Sequence, residues 1–344
     1  MSFAIGYIAG PFGAIFFGHI GDRKGRKVTM YASLLMMGIS TSIIGILPPA
    51  ASAGVGVVIV LQLMRLAQCF GRGGTWGGGI LMAYENVPEN KRSFYAAIPQ
   101  IGLPIGFGLS STLIAVPTLL LPEDIFFTWG WRIPFLAAII LTLIVIRQKG
   151  EMMETEDYKK AQAKLEAEEA EGKKHKVGFI PMVKGYWKTL LLGCGTRWVD
   201  GTFYNIFIVW ILSYCINWLG MPLIQTYIIT IIACIFKIPF TLFGGWCAQK
   251  LGNTRTFVIG ALASAVLSIP TLKVIELSKG NLAITIIGIV LGWSIAYNLI
   301  WAVISSLWSS YFETEVRYSG ISFCISCAKF LSSWDGTNNL YIAD

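Results

Sequence analysis

The chain has 344 residues, of which 55% are hydrophobic and only 13% charged, against roughly 25% charged in ordinary globular proteins. Its mean hydropathy of +0.64 excludes a water-soluble domain, because that much apolar surface drives aggregation. The net charge of +8 does not imply nucleic-acid binding either: basic residues fall in short stretches between apolar runs rather than on one contiguous face.

A bilayer span needs about 20 mostly apolar residues. Segments 2–20, 28–48, 57–84, 96–120, 130–146, 187–213, 222–247, 257–272 and 281–308 qualify, with a partial tenth from 320. All are expected to be helices, since a lone strand leaves its backbone unsatisfied in lipid. Loops 21–27, 86–92, 147–188, 248–256 and 309–319 hold 19 Lys and Arg; the alternate loops hold 3. That bias assigns the first set to the cytoplasm. The fold class is therefore all-α, a multi-pass transmembrane bundle of a bacterial-type plasma membrane, with no signal peptide expected.

Loop 147–188 is the one long polar insertion. Residues 151–174 have helical composition, with Glu156/Lys160 as a supporting pair. The segment divides the spans into two groups: residues 1–146 as one bundle, 147–186 as a linker and 187–344 as a second bundle. Gly6/Gly10, Gly73/Gly77, Gly74/Gly78 and Gly102/Gly106 are spaced for close helix approach. Trp129, Trp131 and Trp187 stand at expected membrane boundaries. The seven cysteines lie mostly in apolar runs and read as packing, as does the lone pair Cys324/Cys327. No metal and no cofactor are expected.

A motif occurs twice, after the first span and after the seventh: Gly18, Asp22, Arg23, Gly25 against Gly245, Gln249, Lys250, Gly252. Both copies lie on the cytoplasmic side, so the repeats are parallel, as in some carriers. Glycines permit the tight turn, and a carboxylate there can pair with a base or cap a helix. A charge clasp of this kind can hold the inner ends of helices in one state and release them in another.

The first copy, Gly18, Asp22, Arg23, Gly25, Arg26 and Lys27, resembles the loop between helices 2 and 3 of the major facilitator superfamily. More closely, 65-RLAQCFGRGGTWGG-78 followed by Glu85, Pro88 and Arg92, the run Trp129 to Phe135, and 312-FETEVRYSG-320 with Arg317 resemble the metabolite/proton symporter family. That family includes carriers for shikimate, α-ketoglutarate, citrate and proline/betaine. The resemblance spans almost the whole chain. It implies secondary transport of a small organic solute by alternating access with proton symport, in a monomer embedded in the lipid bilayer. Four residues depart from the pattern: Cys69 for a glycine, Arg72 for an uncharged residue, Thr75 for a glutamate and Gln249 for the acid of the second clasp. The loss of that glutamate weighs against proton coupling. Against the family's twelve helices, the chain corresponds to helix 2 through part of helix 11, so an inactive truncated carrier is one alternative.

Charges inside a span are costly and tend to face a cavity. Arg65, Arg72, Arg197, Lys237 and Lys329 outnumber Asp200 there, which points to an anionic or zwitterionic substrate such as a carboxylic acid. Arg65, Arg72, Thr75, Arg197 and Lys237 are the candidate substrate ligands, with Tyr297 and Trp301 as further lining. Asp200 and Glu85 are the candidate proton groups, with Asp22 and His19 behind them. Gly18, Asp22, Arg23, Gly25, Arg26, Arg92, Gln249, Lys250 and Arg317 form the candidate gate. Enzyme signatures such as G-x-S-x-G, H-E-x-x-H, Walker or G-x-G-x-x-G are missing, and there are only two histidines, His19 and His175. A substrate sensor on a carrier fold is the other rival.

Overall fold

The structure, a computed structural model, describes residues 2–49, 54–148, 154–170 and 179–326. Eight helices among these residues are long and apolar enough to cross a membrane. They are α2 (Arg26–Ile46), α3 (Val55–Glu85), α4 (Glu89–Leu120), α5 (Gly130–Arg147), α7 (Met182–Asn217), α8 (Leu223–Leu251), α9 (Asn253–Leu277) and α10 (Leu282–Tyr311). Ahead of them runs α1 (Ser2–Lys24), and the polar insertion forms α6 (Glu156–Ala170). A further helix, α11, occupies 317–326. Lys329, Cys327 and His175 lie outside the described residues.

The spans follow from composition, and their side chains explain how the remaining polar groups are tolerated. Thr41, Ser42, Thr142, Thr230 and Ser264 each donate to the carbonyl four residues back, so their hydroxyls need no water. Asn281 caps α10 by accepting from the backbone of Ala283 and Ile284 at 3.1 and 3.4 Å. Two helices carry a π-helical turn, Asn205–Trp210 in α7 and Val290–Ala296 in α10. Such turns frequently mark functional positions.

Among the described residues the helices form two compact units, each drawn from both halves of the chain: α1, α2, α3, α5, α6, the start of α7 and α11 in one, and α4, α8, α9 and most of α7 and α10 in the other. In the first, α3 packs along α1 and α2, and α2 also meets α5. In the second, α8 packs along α4 and α10, and α9 joins α10.

Glycines make the seams of the first unit. A Cβ on Gly73 would meet the Gly10 carbonyl at 2.7 Å, and one on Gly74 would meet the Phe17 side chain at 2.5 Å. Gly102 and Gly106 have nothing within 4 Å, so that spacing makes no close helix contact here. In α6, Glu156 pairs with Lys159 at 2.8 Å instead of with Lys160, one residue short of the expected spacing.

Candidate functional site

The clasp of the first unit is assembled from four segments. Asp22, buried at the end of α1, accepts from the backbone N–H of Tyr318 and of Ser319, both at 3.1 Å. These donors are the free N–H groups at the start of α11, so Asp22 caps a helix nearly 300 residues away in sequence. Gly18 makes the approach possible, since a Cβ there would stand 2.9 Å from the Ser319 backbone. Arg26, fully buried, donates to the Gly21 carbonyl at 2.8 Å and to the Thr314 carbonyl at 2.6 Å. It also pairs with Asp22 at 3.4 Å and Glu85 at 3.5 Å, and lies over the Tyr158 ring.

Glu85 closes the cluster. Its carboxylate takes Arg317 at 2.9 Å on one oxygen and the Thr155 hydroxyl at 2.6 Å on the other. The insertion contributes more than Thr155. Glu154 accepts from the first N–H groups of α2, Arg26 at 2.9 Å and Lys27 at 3.2 Å. Tyr158 donates to the Arg23 carbonyl at 3.0 Å, with its phenol held above the ordinary tyrosine range by burial. Asp157 stands 3.8 Å from Arg317. Arg23 itself is exposed, so the base that anchors this clasp is Arg26.

Gly25 turns the chain between α1 and α2 at φ +103°, ψ 159°, a region open almost only to glycine. A Cβ there would also run into the Glu154 carboxylate. Gly25→Ala is expected to cost about 1–3 kcal/mol in backbone strain alone, seen as a lower melting temperature of the purified protein in detergent. An unchanged melting temperature would show that the turn relaxes.

The second copy, in the second unit, repeats this geometry without the charge. Gly252 takes φ +91°, ψ 151° at the start of α9, matching Gly25. Gln249 accepts from the Phe94 N–H at 3.3 Å, the third N–H of the helix Arg92–Ala97, and donates to the Asn90 carbonyl. Gly245 allows the approach, because a Cβ there would meet Ala97 at 2.7 Å. Gln249 thus caps a remote helix start, as Asp22 does, through a neutral amide. Lys250 is exposed, and Arg92 donates to the Val87 carbonyl at 3.3 Å.

The second unit holds three of the charges inside the spans, Arg197, Asp200 and Lys237. Arg197 and Asp200, three residues apart on α7, form a buried ion pair. Asp200 also accepts from the Tyr297 hydroxyl of α10 at 2.6 Å. The other face of this arrangement is Lys237 on α8, fully buried, whose ammonium lies 4.3 Å from the Tyr297 ring centre and 4.8 Å from that of Trp293. Among the described residues the Lys237 Nζ has no hydrogen-bond acceptor, and the buried Trp293 Nε1 and Asn298 Oδ1 also lack partners. Asn298 otherwise ties α10 to α8, donating to the Lys237 carbonyl and to Thr241 at 2.8 and 2.9 Å. A buried ammonium without an acceptor is costly, and aromatic faces recover only part of that, about 2 kcal/mol.

The remaining expected residues are placed as follows. Arg65, half-buried on α3, donates to Gln68 at 3.1 Å, which donates to Thr41. Thr75 bonds Ser33 and the Gly71 carbonyl, both at 3.1 Å, and Arg72 is half-buried on the same helix. Trp301 and Gln100 exchange hydrogen bonds through their backbone carbonyls at 3.1 and 3.2 Å, which makes Trp301 a tie between α10 and α4. Glu154, Thr155, Tyr158, Tyr318 and Ser319 were not singled out in the sequence, because their partners lie 70 or more positions away. Only Tyr318 and Ser319, inside the V-R-Y-S-G run, stand in a recognisable motif. Among the described residues no cluster of His, Cys, Asp or Glu fits a metal ion.

Residues 1–331 match the family model of the Major Facilitator Superfamily. The chain belongs to this superfamily. Within the superfamily it is 32% identical to the inner membrane metabolite transport protein YhjE of Escherichia coli, over 98% of this chain and 77% of that one. It is 29% identical to the shikimate transporter of Escherichia coli, over 93% of this chain and 71% of the other. A solved structure of the proton:xylose symporter XylE, bound to 6-bromo-6-deoxy-D-glucose, has the same fold. Its TM-score is 0.77 at 17% identity, over 100% of this chain and 78% of that one. This superfamily member is thus a transporter of small solutes, not an enzyme, and a multi-pass protein of the bacterial inner membrane.

Proposed function

We propose that the chain moves an organic acid anion or zwitterion together with protons, by alternating access. The observation that carries this reading is the buried Lys237 ammonium with no acceptor. With Lys237 protonated, the buried groups Arg197, Asp200 and Lys237 sum to one net positive charge, which a carboxylate neutralises. The relative named for shikimate transport, an acid, supports the same class. Asp200 is the group that takes the proton: protonation raises the cluster charge by one and strengthens its hold on an anion.

Arg65, Arg72 and Thr75 supply polar contacts from α3 along the solute's route. Gly18, Asp22, Gly25, Arg26, Glu85 and Arg317 form the inner gate with Glu154, Thr155, Asp157 and Tyr158 of the insertion. Gln249 and Arg92 form a weaker counterpart, with Arg23 and Lys250 exposed beside the two clasps. The matched turns at Gly25 and Gly252 support two parallel bundles, 1–146 and 187–344.

The test is uptake into proteoliposomes under an imposed pH gradient. A one-unit gradient supports about tenfold accumulation of a monoanion carried with one proton. Wild-type protein is expected to accumulate a carboxylate in this way, with other acids competing. Asp200→Asn is expected to keep exchange of substrate and lose accumulation. If uncharged solutes compete best and acids not at all, the anion reading is wrong; equal loss of exchange and accumulation in Asp200→Asn removes the proton role.

A further inference from the structure

We infer that Tyr297 is the positioning residue that couples the proton at Asp200 to the anion at Lys237. The inference rests on the function proposed above and names the link between its two sites. Tyr297 is one rigid side chain held at both ends: its hydroxyl donates to Asp200 at 2.6 Å, and its ring lies under the Lys237 ammonium at 4.3 Å. It is buried, so neither end is exchanged for water. It follows directly on the π-helical turn Val290–Ala296, its own N–H bonding the Gly292 carbonyl at 3.1 Å. A π turn gives a helix room to shift register locally.

The groups around it are Arg197, Asp200 and Tyr204 from α7 and Lys237 from α8, whose ammonium also lies over the Trp293 ring and near Cys234. With Asp200 ionised, the hydroxyl has an anionic acceptor, and the ring is fixed where it covers the ammonium. A proton from water on one side forms an O–H bond on Asp200. The acceptor becomes neutral, the hydroxyl bond weakens, and the ring is free to move off Lys237. The ammonium then meets the substrate carboxylate. On the other side the anion leaves, the ammonium returns to the ring and the same proton passes to water. No other covalent bond changes.

The experiment compares wild type, Tyr297→Phe, Asp200→Asn and Lys237→Met in proteoliposomes, with radiolabelled shikimate, benzoate and proline as probes. Counterflow reports exchange, and uptake under a one-unit pH gradient reports coupling. Tyr297→Phe keeps the ring and loses the hydroxyl, so exchange is expected within about threefold of wild type while accumulation falls to the level of exchange alone. The double variant Asp200→Asn/Tyr297→Phe is expected to lose no more than either single one. Wild-type accumulation in Tyr297→Phe, alongside loss in Asp200→Asn, overturns the Tyr297 role and leaves the carrier reading intact. Equal loss of exchange and accumulation in Tyr297→Phe overturns it too, as a purely structural contact. Failure of the wild type to take up any of the three probes, or full accumulation by Asp200→Asn, overturns the underlying reading instead.

Discussion

Lys237→Met is expected to raise the melting temperature of the detergent-solubilised protein while lowering carboxylate exchange at least 100-fold. The two effects have opposite sign for one reason. The Lys237 ammonium is buried with no hydrogen-bond acceptor, and the desolvation it suffers is worth several kcal/mol. Methionine fills much the same volume against Trp293 and Tyr297 and gains S–aromatic contact, which offsets the lost cation–π attraction. The empty site therefore becomes more stable, and the occupied site loses its counter-charge. Uptake by vesicles and differential scanning fluorimetry on the same preparation read both quantities. A variant that melts lower and still exchanges carboxylates would show that Lys237 is structural.

Glu85→Ala is expected to do the reverse, destabilising the protein by about 3–5 kcal/mol. Both Glu85 oxygens are engaged, and the carboxylate is the partner shared by Arg26 and Arg317. Alanine takes a carboxylate from two guanidinium groups at once, leaving the fully buried Arg26 with Asp22 and Arg317 with Asp157 at 3.8 Å, and removes the acceptor of the Thr155 hydroxyl. Glu85→Gln keeps the bond to Thr155 and removes only the charge, so it should fall between wild type and Glu85→Ala. Arg23→Ala, at an exposed position, should change stability by less than about 0.5 kcal/mol. The order of melting temperatures checks the assignment, and a Glu85→Ala protein as stable as wild type would refute it. Glu85 was also a candidate proton group from its sequence position, but its neighbours are those of a clasp.

What the sequence made legible was the part governed by one-dimensional patterns. Spans showed as apolar runs, and α6 as a charged helical stretch. The duplicated glycine motif announced two turns that adopt nearly the same φ and ψ at Gly25 and Gly252. Arg197 and Asp200 pair as their spacing allows. The rest depends on partners far apart in the chain. Nothing near residue 26 indicates that its helix is capped by Glu154, nor could spacing show that Gln249 keeps the capping role of an acid without its charge. The π-helical turns in α7 and α10 were invisible for another reason: one added residue per turn breaks the 3.6-residue periodicity by which helix faces are read. Sequence leaves Trp301 open between cavity lining and packing, because hydropathy does not record that its indole N–H is committed to Gln100.

The capping of α11 by Asp22 also has a consequence for how the protein is made. Residue 22 leaves the ribosome long before residues 318 and 319, the donors it binds. Chains grow at about 5–20 residues per second, so roughly 15–60 s pass with the Asp22 carboxylate lacking its final partners. During that interval Arg26, four residues on, is its nearest counter-charge, and the inner end of α1 waits half-finished. The inner end of α1 therefore gains the helix start it caps only once residues 318 and 319 have been made.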